Sequence, residues 1–259
     1  MNIKVAVKYK IRKIHRFFIP KQIAHYKKVK NFVKDKQGIE IGGPSKVFND
    51  IIKVYTIAKQ VDGCNFSTST IWQGNIAAGG PYTYDGNTLG CQFINDATDL
   101  NSIESCKYDF LLSSHCLEHI ANPIKALKEW HRVLKNGGLM VLVLPNPEFT
   151  MDHKRMRTSF QHLVGDFENN TQESDITHIQ EAIDNVDLSR VFLLNGNGAT
   201  MSYESHVSES WDNSKLRTMH HHVYSDEVVY ELLKYSGFRL IASEHFTPFH
   251  MIYLGVKKN

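Results

Sequence analysis

The chain has 259 residues, 42% hydrophobic and 22% charged, with a net charge of +3. That is the balance of a soluble globular protein long enough to bury a core without staples. Four cysteines (Cys64, Cys91, Cys106 and Cys116) with no C-x-x-C pair exclude a zinc ribbon, a dithiol redox motif and a disulfide scaffold, and point to a reducing, cytoplasmic compartment. No apolar run approaches the ~18 residues of a membrane-spanning helix, and no secretory leader is expected.

Four segments follow in chain order. Residues 1–36 form a basic N-terminal arm. Twelve Lys/Arg stand there against one acid, Asp35, which leaves eighteen basic and twenty-six acidic residues in the body. Ile11, Ile14 and Phe18 fall at helical spacing until Pro20 breaks the run. A second basic helix is predicted over about 21–34, carrying Ile23, Val29 and Phe32 or Val33.

Residues 37–149 alternate short apolar strands with turns. A strand at Ile39 and Ile41 runs into Gly42-Gly43-Pro44, and a second ends near Val61-Asp62-Gly63. A third, Gln92-Phe93-Ile94, ends at Asn95-Asp96, and a fourth, from Tyr108 to Leu112, ends at Ser113-Ser114-His115. Asn122 and Pro123 read as N-cap and first position of a helix bearing Ile124, Leu127, Trp130 and Leu134. Asn136-Gly137-Gly138 is the expected αL cap closing it. The unbroken apolar run from Leu139 to Leu144, ended by Pro145, predicts a strand buried on both faces, as in a parallel sheet. The alternation implies an α/β fold with right-handed crossovers.

Residues 150–224 lose this rhythm. They are polar and hold seven of the fourteen histidines, which marks them as a substrate-binding insertion. Residues 225–259 complete the core sheet. Ser225 caps a helix with Val228, Val229, Leu232 and Leu233, stopped by Gly237, and two strands at about 238–246 and 250–257 are expected to pair antiparallel at the sheet edge.

Glycines after the first strand let backbone approach a ligand and expose amide groups. Gly42-Gly43-Pro44-Ser45-Lys46-Val47 does not match a G-x-G-x-x-G dinucleotide fingerprint. Glu40 beside it would repel a pyrophosphate but suits a cofactor with a cationic end. Asp62, at the expected end of the second strand, suits ribose hydroxyls, although by itself it reads as a turn aspartate. Asp96 can accept from an adenine amino group, or cap a helix.

The block YDFLLSSHCLEHI (108–120), followed by EWHRVLKNGG (129–138) and the strand to Pro145, resembles the type-11 branch of class I S-adenosylmethionine methyltransferases. Members of that branch read roughly fDlV-s-s-LEH…E-RVLKPGG…lP. The order of glycine loop, Asp62, Asp96 and this block is also the family's. The resemblance covers about 37–145 and, more weakly, 225–257. It implies a Rossmann-like class I methyltransferase sheet, mostly parallel with an antiparallel C-terminal edge, and S-adenosylmethionine as cofactor. It places Glu40, Gly42 and Gly43 around the methionine moiety, Asp62 at the ribose, Asp96 at the adenine side, and Ser113, Ser114 and His115 along the methyl-transfer face. The common loop has three glycines. Here Pro44 and Lys46 replace the second and third, and Pro44 removes an N–H. The string GIEIGGPS, the histidine-rich insertion and HHHVYSDEV (220–228) also resemble a subgroup met among surface-glycan modification enzymes. That implies a polar small-molecule or glycan acceptor and a place in polysaccharide biosynthesis.

Methyl transfer needs donor and acceptor aligned in line and a base for the acceptor proton, a task suited to His. His115 lies at the carboxyl edge of the sheet and His153 follows the fifth strand, so these two are the candidate catalytic bases. His119 reads as a helix-start histidine that braces the fold. Arg155, His178 and His221 are the expected acceptor contacts. Asp175, His178 and Glu181 recur every three residues and, with His162 and Asp166, could ligate a metal. A polar helix face is the preferred reading, and no metal is expected. In His220-His221-His222, neighbours along a strand face opposite ways, so at most two share a site.

No Asn/Asp-Pro-Pro-aromatic tetrapeptide follows the fourth strand, and the basic arm has few aromatics to stack on bases, so no nucleic-acid partner is expected. One alternative is a NAD-type oxidoreductase, opposed by the missing glycine and by Glu40. Another is a non-catalytic SAM-fold protein at a membrane surface, motivated by Pro44, Lys46 and an arm whose cations can each contribute about 1 kcal/mol on anionic lipid.

Overall fold

The computed structural model describes residues 22–190 and 201–258. The first expected helix, around Ile11 to Phe18, lies outside them. The strands are β1 (Gln37–Ile41), β2 (Gln60–Asn65), β3 (Ser69–Thr70), β4 (Gly74–Asn75), β5 (Pro81–Tyr84), β6 (Asn87–Ile94), β7 (Tyr108–Ser114), β8 (Leu134–Pro145), β9 (Phe238–Phe246) and β10 (His250–Lys257). Eight form one sheet in the order β5-β6-β2-β1-β7-β8-β10-β9, and β3 and β4 pair separately. The run β6-β2-β1-β7-β8 is parallel, while β5, on β6, and β10, on β8 and β9, pair antiparallel.

The helices are α1 (Tyr26–Val33), α2 (Lys46–Asp50), α3 (Pro123–Val133), α4 (Phe160–Glu168), α5 (Ile179–Asn185), α6 (Tyr203–Trp211), α7 (Asn213–Leu216) and α8 (Asp226–Tyr235). Strand alternation builds a core on each face of the sheet. In β8, Met140, Leu142 and Leu144 join Trp130 of α3, Leu163 of α4 and Leu232 of α8. Leu139, Val141 and Val143 join Val29 and Val33 of α1 and Phe48 of α2 on the other face. The apolar run is therefore buried on both sides, as a parallel sheet requires. Trp130 is fully buried, and its indole N–H donates to the Ala97 carbonyl at 3.0 Å.

Side-chain caps set half of the described helix starts. Asn122 accepts from the Lys125 amide at 3.1 Å with Pro123 next, and Ser225 accepts from Val228 ahead of Asp226 and Glu227. The C-terminal hairpin forms as expected, with β10 between β8 and β9.

Two expectations are corrected. Helix α3 ends at Val133 with Leu134 already extended, and Gly137, at φ 73°, sits inside the opening of β8, where its register with β7 shifts. The chain turns straight into the strand because Leu134 pairs with Tyr108. Strand β2 runs on to Asn65, which places Asp62 within it. The hairpin β5–β6 was not foreseen from sequence. Its turn, Asp85-Gly86, has both residues at positive φ (48° and 75°), the backbone a two-residue I′ turn needs. Helices α4 to α7 fill the described part of the insertion. No helix among the described residues is long and apolar enough to cross a membrane.

Candidate active site

A cavity of about 820 Å³ opens at the carboxyl ends of β1, β2, β6 and β7 and is closed over by the insertion. Open parallel sheets bind ligands at this edge, because side chains and loops there diverge. Of the residues singled out in the sequence, Gly42, Gly43, Asp96, Ser114, His115 and Arg155 line it.

The glycine loop is built for close packing. Gly42 has φ 81°, and a Cβ there would lie 2.8 Å from the Cys116 sulfur. A Cβ on Gly43 would fall 2.2 Å from the Glu40 carboxyl and 2.3 Å from the Tyr82 hydroxyl. Glu40 does not line the cavity; it is fully buried beneath the loop. Its Oε2 accepts from Tyr55 at 2.5 Å and Tyr82 at 2.9 Å, and Tyr55 accepts in turn from the Ser45 amide at 2.8 Å. Glu40 Oε1 is buried with no hydrogen-bond partner among the described residues. Burial raises Glu40 to about 7, against the hydrogen bonds from Tyr55 and Tyr82 that lower it. We expect Gly43→Ala to drive its methyl into this buried network and lower unfolding free energy by about 1–3 kcal/mol, the cost of overpacking. Urea unfolding tests this, and unchanged stability would contradict the packing described.

Asp62 is not in the cavity. It is buried within β2, where it accepts from the Tyr108 hydroxyl at 2.8 Å, Gln60 Nε2 at 2.6 Å and the Cys91 amide at 3.0 Å. The polar side chain at the end of β2 is Asn65, which donates to the Gly43 carbonyl at 3.1 Å; Gln73 donates to the same oxygen. Asp96, after β6, accepts from the Thr98 amide and hydroxyl and pairs with Arg217 at 3.2 Å. Ser113 is fully buried behind Ser114, since adjacent strand residues face opposite ways.

Beyond the loop the cavity becomes a polar chamber. His115 follows β7 with φ 49°, and its Nε2 lies 2.9 Å from His250 Nδ1. Glu118 is fully buried. Its carboxylate has no hydrogen-bond partner among the described residues, yet three ring nitrogens surround Oε1: His115 Nδ1 at 3.8 Å, and His119 Nε2 and His220 Nε2 at 4.0 Å each. Burial raises Glu118 to about 7 and holds His115 and His119 well below the usual 6.5. Burial would also lower His220, but Asp152, bonded to its Nδ1 at 2.6 Å, raises it. Glu118, His119 and His220 could together hold a cation. Trp72, 56% exposed at the rim, meets the His119 ring edge-on at 5.8 Å.

The remaining candidates, and the guanidinium of Arg155, are placed differently from expectation. His153 lies outside the cavity, paired with Asp187 at 2.8 Å. Arg155 borders the cavity, but its guanidinium is taken up by Asp152, Glu181 and the His220 carbonyl. His178 meets His162 away from the cavity, and His221 is buried against Asn213. His178 immediately precedes α5, so Asp175, His178 and Glu181 do not share one helix face. Sequence reasoning assigned no site role to Asn65, Glu118, Asp152, His220 or His250. The Glu118 of the LEH string was the available signal; the others lie far apart in the chain.

The methyltransferase-domain family matches residues 9–243. No curated protein sequence matches the chain. Among solved structures it is similar to a candidate methyltransferase of Bacillus halodurans, with 12% identity, 91% of this chain and 98% of that one covered, and a TM-score of 0.50. It is also similar to an S-adenosylmethionine-dependent methyltransferase of Mesorhizobium loti, with 13% identity, coverage of 91% and 98%, and a TM-score of 0.49. A third is the 1,6-didemethyltoxoflavin-N1-methyltransferase of Burkholderia thailandensis, solved with S-adenosylhomocysteine, with 10% identity, coverage of 99% and 86%, and a TM-score of 0.47. With the family match spanning most of its length and a Rossmann-like sheet carrying the glycine loop at its carboxyl edge, the chain belongs to the methyltransferase-domain family, and its cofactor is S-adenosylmethionine.

Proposed function

We propose that the chain methylates a polar small molecule or sugar-type acceptor, with His115 as the general base. The observation that carries this is that His115, at the end of β7, opens into the same cavity as the glycine loop. The site fits the cofactor in three respects. Gly42 and Gly43 leave room for backbone approach. Asn65 and Asp96 offer polar groups at the ends of β2 and β6 for a nucleoside. Glu40 puts a buried carboxyl under the loop, one layer behind the cavity wall, where it would favour a cationic methionine end bound above it. Bound there, S-adenosylmethionine supplies an electrophilic sulfonium methyl.

The protein's task is to align the acceptor and take its proton. In the required tautomer, His115 Nε2–H donates to His250 Nδ1, which orients the ring and leaves the Nδ1 lone pair for the acceptor proton. Burial keeps this ring neutral at pH 7. The imidazolium that forms faces the Glu118 carboxyl, 3.8 Å away.

Trp72 favours a sugar-type acceptor. A pyranose has an apolar C–H face that packs on an aromatic ring and hydroxyls that suit the imidazole chamber. Trp72→Ala is expected to raise the acceptor KM about tenfold, or about 1.4 kcal/mol, with S-adenosylhomocysteine affinity unchanged. Transfer of labelled methyl groups from S-adenosylmethionine to a panel of saccharides, small amines and nucleic acids tests the reading. Incorporation into nucleic acid alone, or no S-adenosylhomocysteine binding at millimolar concentration by calorimetry, would sink it.

A further inference from the structure

Outside the cavity, the insertion and the segment before α8 bring three histidines and an aspartate together. His162 and Asp166 are one turn apart on α4, His178 immediately precedes α5, and His222 comes three residues before Ser225, the cap of α8. His162 Nε2 lies 3.0 Å from His178 Nε2 and 3.2 Å from Asp166 Oδ2. His222 Nε2 lies 3.8 Å from the same Asp166 oxygen and 3.3 Å from the Ala121 carbonyl, a contact it gives up if it coordinates. One nitrogen from each histidine falls within 4.8 Å of the others.

We propose that His162, Asp166, His178 and His222 bind one divalent transition-metal ion of the zinc class, which ties α4, the start of α5 and the segment before α8 to one another. Zinc bonds of about 2.0–2.1 Å put tetrahedral ligand atoms about 3.3–3.4 Å apart, close to the separations between His162, His178 and Asp166. Three imidazoles and one carboxylate are a donor set for zinc, nickel or iron, and four protein ligands make a closed, structural site.

Hydrogen bonding does not account for the cluster. One proton on His162 Nε2 can serve His178 or Asp166 but not both, and two facing neutral rings leave at most one N–H between them. Asp166 Oδ2 and His222 Nδ1 are buried without a hydrogen-bond partner among the described residues. Such orphaned atoms are costly unless something charged satisfies them. A cation at the centre takes the lone pairs that the protons cannot.

The set Glu118, His119 and His220 is the competing site. Its ring nitrogens stand 4.0 Å from the Glu118 oxygen and His220 is already bonded to Asp152, whereas His162 lies within 3.0 Å of His178 and 3.2 Å of Asp166. The observed distances favour the insertion cluster.

The test uses full-length protein purified through an affinity tag without histidines. Elemental analysis is expected to find about one equivalent of zinc-class metal, and cobalt(II) exchanged into the chain should show the visible absorption of a tetrahedral centre. His178→Cys should add a thiolate-to-cobalt band in the near ultraviolet, a gain of signal from a folded site. Asp166→Asn should lower metal content at least about tenfold, and His220→Gln should leave it unchanged. Wild-type metal below about a tenth of an equivalent after zinc supplementation, no new band in His178→Cys, or metal lost in His220→Gln but kept in Asp166→Asn would overturn the proposal.

Discussion

His115→Ala is expected to lower kcat by about 10²–10⁴-fold, the usual contribution of a positioned general base, while S-adenosylhomocysteine binds as before. The split matters, because His115 faces the acceptor chamber and its backbone, not its ring, continues the sheet, with its amide donating to the Val143 carbonyl at 2.9 Å. The pH profile gives a second reading. Burial first, then His250 and His220, hold His115 well below the usual 6.5, while the Glu118 carboxylate faces its Nδ1. A protonated imidazole cannot accept, so the rate should fall on the acid side with its limb below pH 6.5 and stay level through neutral pH. A limb at or above 6.5, or an alanine variant with full kcat, would remove His115 from the chemistry. His250→Ala should reproduce part of the loss, since it frees the ring to turn.

The largest stability effect is expected at Arg155. Its side chain is only 2% exposed. Nε and Nη2 donate to Glu181 at 3.0 and 2.8 Å, and Nη1 donates to Asp152 at 3.0 Å and to the His220 carbonyl at 2.8 Å. Burial would raise Asp152, but His220, then Arg155, more than offset it and hold this carboxyl well below its usual 3.8. Removing the guanidinium leaves a buried carboxylate short of a partner and one carbonyl unbonded. Arg155→Ala should therefore lower unfolding free energy by about 3–5 kcal/mol, a large part of the roughly 5–15 kcal/mol of a typical domain. Arg155→Lys should restore only a fraction, because an ammonium group cannot bridge three acceptors in a plane. Equilibrium urea unfolding measures both, and a loss under about 1 kcal/mol would mean the network is not holding the insertion.

The sheet was legible in the sequence because its signals are local. The run from Leu139 to Leu144 can only be a strand with two apolar faces, and both faces are buried. Asn122-Pro123 and Ser225 announce helix starts through a side chain that reaches an amide three residues on. The site was legible only in outline. Gly42, Gly43, Asp96, Ser114 and His115 reach the cavity because each follows or ends a strand at the carboxyl edge. Asp62 has the right residue type and nearly the right position, but β2 runs three residues further and hands that edge to Asn65.

What the sequence by itself determined was the five parallel strands, the C-terminal hairpin, the helices that begin at Pro123 and Asp226, the glycine loop and the family block, all patterns within a dozen or so residues. Only the tertiary structure decided which distant side chains meet. His220 turns to Asp152 and Glu118, His221 to Asn213, and His222 to the Ala121 carbonyl and Asp166, although the three are neighbours in the chain. Their partners come from segments up to about a hundred residues away and are brought there by the insertion folding over the sheet edge. Period and spacing tell which face a side chain points to; the group that waits on that face is set by packing.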